Sequence, residues 1–223
     1  MNLVKLLLES KISVASANYR LTHLGPYPQP MLDSSRAVQF LRFKAEEWNL
    51  DPTRFGAGGG SAGSGIAQWI GFHDERADPD SGDAVERQST RLSCVVAYNM
   101  QSTYDPRVIS EIIPGMAKQH PALPAFFDLP EDWAPETSEI TPELDALFRE
   151  ASPINHLSAD DPPAFVFHFK RQEVPGNIHH ANFGRHLEQA MKERGLECVR
   201  RMDTDYDSHE ACIRAMADFV LTH

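Results

Sequence analysis

Six consecutive residues, Gly58-Gly59-Gly60-Ser61-Ala62-Gly63, constrain the fold of this chain more than any other segment. Glycines so closely spaced suit a sharp turn or a close approach of backbone to backbone, and little else. A short predicted strand, around Arg54 to Gly58, leads into the run, and a predicted helix from about Ala62 to His73 leaves it. Strand, tight turn and helix in direct succession are the unit from which parallel sheets are built.

The rest of the chain repeats that alternation. Leu3, Val4, Leu7 and Leu8 recur at helical spacing, and Ile12 to Tyr19 follows as a predicted strand. From Met31 to Trp48, Ala37, Val38, Leu41, Ala45 and Trp48 form one apolar helical face, which Asn49 to Pro52 ends. Leu92–Tyr98 and Ala164–His168 read as buried strands. A helix over Asn182–Arg194, a strand over Leu196–Arg201 and a last helix over His209–Leu221 complete the pattern. The expected architecture is α/β: a mostly parallel sheet covered by helices on both faces. One domain spans residues 1–223. Residues 101–157, Pro-rich and with helical pieces near Pro106–Met116 and Thr141–Glu150, read as an insertion too short for a core of its own.

Composition excludes some functions. A formal charge of −11 repels nucleic acid, and 41% hydrophobic residues suffice for a folded core. Cys94, Cys198 and Cys212 are too scattered for a disulfide framework or a zinc ribbon. No apolar run approaches the length of a membrane span or of a signal peptide's core. His179-His180 has no third ligand at fitting spacing and reads as a surface loop, so no metal is expected there.

Ser61 is the candidate nucleophile. A serine hydroxyl must be held clear of the backbone and offered to a base, and a sharp strand-to-helix turn does this. Such a turn crowds the positions two before and two after the serine, here Gly59 and Gly63. The next helix then aims the Ala62 N–H at the negative oxygen of a tetrahedral intermediate. The same residues satisfy a dinucleotide G-x-G-x-x-G pattern, but a charged loop follows the helix, and the next strand ends in Tyr98-Asn99-Met100 without the required acid. No lysine follows the glycines, so a phosphate-binding loop fails as well.

Further motifs carry a family resemblance. Asn18-Tyr19-Arg20-Leu21, the Gly-Gly-Ser-Ala-Gly turn about forty residues on, Ala151-Ser152-Pro153-Ile154 and Asp161-Pro162-Pro163 resemble segments of α/β-hydrolases similar to hormone-sensitive lipase and bacterial esterases. The resemblance implies a serine–acid–histidine triad acting on a small-molecule ester, without cofactor or metal. Position in the family pattern implies His209 as the base. It also implies an acid in the loop before Val174-Pro175, where Glu173 is the only carboxylate. Asp203, Asp205 and Asp207 are further candidates.

The family's His-Gly-Gly-Gly oxyanion motif does not occur, and the first predicted strand corresponds to the family's fourth. The chain is therefore expected to be an α/β-hydrolase fold truncated at its N-terminus, with the strand at Ile12–Tyr19 lacking a neighbour. Two other readings stand beside ester hydrolysis: a hydrolase-like binding protein without catalysis, and a peptidase or amidase on the same fold. Residues 101–157 would form a cap over the pocket.

Overall fold

A computed structural model describes residues 2–223 of the chain. Four parallel strands form one sheet in the order β1 (Gly56–Gly60), β2 (Cys94–Tyr98), β3 (Ala164–His168) and β4 (Cys198–Met202). β-Branched and aromatic residues favour strands at β2 and β3, whereas the all-Gly/Ala β1 has almost no strand preference of its own. Its extended state is imposed by the ladder with β2, from Gly56 opposite Cys94 to Gly60 opposite Tyr98.

Alternation along the two central strands sends side chains to opposite faces. On one face, Val95, Ala97, Ala164 and Val166 pack with Ala67 and Phe72 of helix α3 (Ala62–Phe72) and with Phe183, Leu187 and Met191 of helix α7 (Asn182–Glu193). On the other, Cys94, Val96, Phe165 and Phe167 meet Cys212, Met216 and Phe219 of helix α8 (His209–Thr222), with Leu3 of α1 (Leu3–Glu9) at the margin. Each large apolar side chain so buried stabilises the fold by about 1.5–3 kcal/mol. Helix α3 is apolar nearly all round because it lies between the sheet and other elements, Trp69, Ile66 and Ile70 facing Met31 of helix α2 (Gln29–Phe43).

Residues 101–157 carry α4 (Pro106–Ile112), α5 (Ala122–Phe126) and α6 (Pro142–Ala151), joined by turns. Ile109, Leu123, Phe127 and Phe148 of this segment are buried in the same core as the sheet.

Two segments differ from the sequence-based expectation. Residues 12–20 have no regular secondary structure, are mostly exposed and join no ladder, so the sheet has four strands rather than five. A strand-like stretch makes a strand only where another strand supplies hydrogen-bond partners. This stretch is anchored instead by Arg20, whose backbone N and guanidinium both reach the Asp33 carboxylate. Helix α2 ends at Phe43, earlier than its apolar pattern suggests, and its buried side is partly polar. Gln39 Nε2 donates to the carbonyls of Glu86 (3.1 Å) and Gln88 (2.9 Å), and Arg42 to those of Pro52 and Arg91. The charged stretch 74–91 is thus held on α2 by backbone carbonyls, which carry no apolar signature.

Candidate active site

Ser61 lies where β1 ends and α3 begins, at φ 51° and ψ −116°. A non-glycine residue in this left-handed region is strained, and the surroundings enforce it. Ser61 N–H donates to Tyr98 O (3.0 Å), extending the ladder by one rung. Its carbonyl accepts from Ser64 N, Gly65 N and Ser64 Oγ, closing the first turn of α3. The crowding around the turn is one-sided. A Cβ at Gly59 would lie 2.6 Å from the Gly63 carbonyl carbon, whereas a Cβ at Gly63 would meet nothing within 4 Å. Ala62, first residue of α3, has a backbone N–H with no intrahelical acceptor.

The Ser61 hydroxyl meets His179: Oγ and Nε2 are 2.7 Å apart. His179 comes from the loop between β3 and α7, so both side chains project from the carboxyl ends of parallel strands, where open α/β sheets bind their ligands. Several contacts fix this loop. Asn177 Oδ1 accepts from His179 N (2.8 Å), and Gln101 Nε2 donates to Ile178 O (2.7 Å). Gly176 N donates to Pro114 O (2.7 Å) and Asn182 Nδ2 to Ile112 O (2.6 Å), tying the loop to the end of α4. Burial, with a smaller contribution from His120, pulls the His179 imidazole below its usual pKa. A neutral imidazole beside a strained serine can take up the hydroxyl proton.

The other residues singled out from the sequence lie elsewhere. His209 is the first residue of α8, which the Ser208 side chain caps, and is exposed; among the described residues its side chain makes no hydrogen bond. The structure brings His179 to Ser61 in its place, because the turn after β4 runs straight into α8 and keeps His209 in that helix. Glu173 pairs with Lys170 and with Arg185 (2.5 Å), and these two cations hold its carboxyl down at about 2. Asp203 accepts from Lys170 N and Asp205 from Met202 N, each serving a turn. Among the described residues no carboxylate hydrogen-bonds to His179. The one sequence signal for His179 was the His179-His180 pair ahead of a helix, and spacing alone does not connect it with a serine 118 positions away.

Comparisons with known proteins identify the fold and the family. The BD-FAE family matches residues 1–177. "Probable carboxylic ester hydrolase LipM" of Mycobacterium tuberculosis is 26% identical over 157 residues, covering 70% of this chain and 33% of its own length. The chain thus spans about a third of that relative. Among solved structures, the acetyl ester-xyloside bifunctional hydrolase from Caldicellulosiruptor lactoaceticus superposes with a TM-score of 0.76 at 21% identity, over 98% of this chain and 74% of that one. The propionate-bound thermophilic esterase Est2 from Thermogutta terrifontis gives 0.62 at 17% identity, over 92% and 70%; the same enzyme has also been described phosphonylated by sarin. A mostly parallel sheet with helices on both faces, a serine on the turn after a strand and a family match over residues 1–177 lead to one assignment: the chain belongs to the BD-FAE family and has an α/β-hydrolase fold of the esterase type.

Proposed function

We propose that the protein hydrolyses carboxylic esters of small molecules with Ser61 as nucleophile and His179 as general base. The observation that carries this is the 2.7 Å contact between Ser61 Oγ and His179 Nε2 at a strained strand-to-helix turn. Ser61 Oγ attacks the ester carbonyl as its proton passes to His179 Nε2. The Ala62 N–H stabilises the oxyanion, helped by the N-terminal end of α3. His179 then returns the proton to the leaving alcohol. Water, deprotonated by the same imidazole, releases the acid from the acyl-enzyme.

His179 works in this scheme without a carboxylate to orient it, and loss of that partner costs up to about four orders of magnitude in turnover. The reaction is therefore expected to be slow. The missing carboxylate also favours a second reading, in which the fold binds an ester or another ligand without turning it over. Residues 101–157 act as a cap in both readings. The carbonyls of Pro114 and Ile112, which accept from Gly176 N and Asn182 Nδ2 on either side of His179, support that role.

Hydrolysis of a short-chain p-nitrophenyl ester, with Ser61→Ala and His179→Ala beside the parent, tests the proposal. A serine-reactive fluorophosphonate should label the parent and not Ser61→Ala, in keeping with the phosphonylation described for Est2. Hydrolysis that survives Ser61→Ala would overturn the mechanism. Absence of both turnover and labelling in the parent would favour the binding protein.

A further inference from the structure

The far end of α3 gathers a second set of chemically capable side chains. His73 caps that helix, Glu150 lies in the last turn of α6, and His156 ends the short 3-10 turn after it. One ligand atom from each of the three lies within 4.8 Å of the others. His73 Nε2 and Glu150 Oε1 are 3.0 Å apart. Two ligands at about 2.1 Å from a tetrahedral zinc ion sit roughly 3.4 Å apart, so this pair already has nearly the separation a cation needs. The Glu150 side chain is half-exposed and has room to adjust toward a bound ion.

The rings are held as ligand rings are held. His73 Nδ1 contacts the Asp74 carbonyl (3.3 Å), which leaves Nε2 free to face the carboxylate. His156 Nε2 bonds the Glu150 carbonyl (2.7 Å), tying that ring to the residue that supplies the carboxylate. Backbone carbonyls at one nitrogen commonly orient metal-bound histidines. Trp69 stiffens the group further: its indole N–H donates to Glu150 O (3.1 Å) and its ring lies against His73, tilted by 39°, at 4.2 Å between centroids. His73 in turn lies 4.4 Å from the His156 ring. Among the described residues the Glu150 carboxylate has no Lys or Arg partner, and the neighbouring Arg149 is engaged by Asp145 (2.8 Å). An open depression of about 540 Å³, lined in part by Glu150, Asn155 and His156, gives access from solvent.

We propose that His73, Glu150 and His156 bind a divalent transition-metal cation of the zinc class, with water completing the coordination. Two imidazoles and one carboxylate suit zinc and its neighbours and do not suit magnesium or calcium. The sequence implied no metal because His73 stands 77 residues before Glu150, and Glu150 and His156, six apart, match no ligand motif. Helix α3 starts beside Ser61 and ends at His73, so the cation lies about 16 Å from the nucleophile, the length of eleven helical residues. At that distance it takes no part in ester hydrolysis; it clips the end of α3 to α6.

Titration calorimetry of chelator-treated protein with ZnCl2 tests this directly. One equivalent should bind with micromolar affinity, millimolar MgCl2 should not compete, and the thermal midpoint should rise with zinc. His73→Gln and His156→Gln should each weaken binding by at least about tenfold, and Glu150→Gln, the mildest change at an exposed position, should weaken it too. The Ser61→Ala variant should bind zinc as the parent does. No saturable binding by the parent would overturn the proposal, as would undiminished binding by the His73→Gln/His156→Gln double variant.

Discussion

Ser61 and His179 are 118 residues apart in the chain and 2.7 Å apart across the ends of β1 and β3. The contact joins a side chain whose backbone is fixed by the elbow to one whose loop is fixed by Asn177, Gln101 and Pro114. Two independently anchored groups meeting at hydrogen-bond distance form a preorganised pair, which is what proton transfer in a transition state requires.

The first prediction separates the two candidate bases. His179→Ala should lower kcat for a short-chain ester by about a thousandfold or more, while His209→Ala should leave it within about twofold. Burial lowers the His179 pKa, so its basic form persists to lower pH than a free imidazole's would. The acid limb of kcat/KM should therefore have its midpoint below 6.5, rising with pH through it. His120→Ala, which removes a group that lowers the His179 pKa, should move that midpoint upward. Retained activity in His179→Ala together with loss in His209→Ala would reverse the assignment.

Much of the fold was legible because it rests on local patterns. The strand Ala164–His168, helices α7 and α8 and the turn at Ser61 all follow from alternation, helical spacing or glycine chemistry. Features that depend on distant partners were not legible. Residues 12–19 read as a strand but join no ladder among the described residues. Helix α2 buries Gln39 because carbonyls of the 74–91 loop receive it. His179 reaches Ser61 through tertiary packing, and nothing in the spacing of the ten histidines separates it from His209.

Glu173 gives the second prediction. Lys170 and Arg185 hold its carboxyl at about 2, below its unfolded value near 4.5. A depressed carboxylate stabilises the fold above the unfolded pKa, and this contribution is lost as pH falls toward the folded one. Glu173→Gln should therefore lower the thermal midpoint at pH 7, and its deficit against the parent should shrink between about pH 4.5 and about pH 2. Ester hydrolysis should be little changed. A large loss of kcat with unchanged stability would instead make Glu173 the residue that orients the base.

His168 acts in a different pH window. It is fully buried at the end of β3, with only a 3.4 Å contact from Nε2 to Met100 O, and burial holds its pKa at about 4. The unfolded chain binds a proton near 6.5, so stability is full above that value and is lost as pH falls from 6.5 to about 4. The difference is worth on the order of 3 kcal/mol. Urea unfolding from pH 7 to pH 4.5 should show this slope, and His168→Leu should flatten it. A slope unchanged by the substitution would mean that other groups carry the acid sensitivity.

The two glycines flanking Ser61 should respond oppositely to the same added methyl group. At Gly59 the new Cβ would lie 2.6, 2.8 and 2.9 Å from the carbonyl carbon, carbonyl oxygen and Cα of Gly63. All three are backbone atoms in the first turn of α3, so relief requires moving the helix start and with it Ser61. Gly59→Ala should cost about 1–3 kcal/mol of stability and a larger share of activity. At Gly63 the Cβ meets nothing, and the residue is already helical, where alanine is favoured over glycine by up to about 1 kcal/mol. Gly63→Ala should therefore be neutral or stabilising, with fluorophosphonate labelling retained. Chemical denaturation of the two variants measures the contrast directly. Equal destabilisation would mean that the turn is crowded from both sides, as spacing alone suggests.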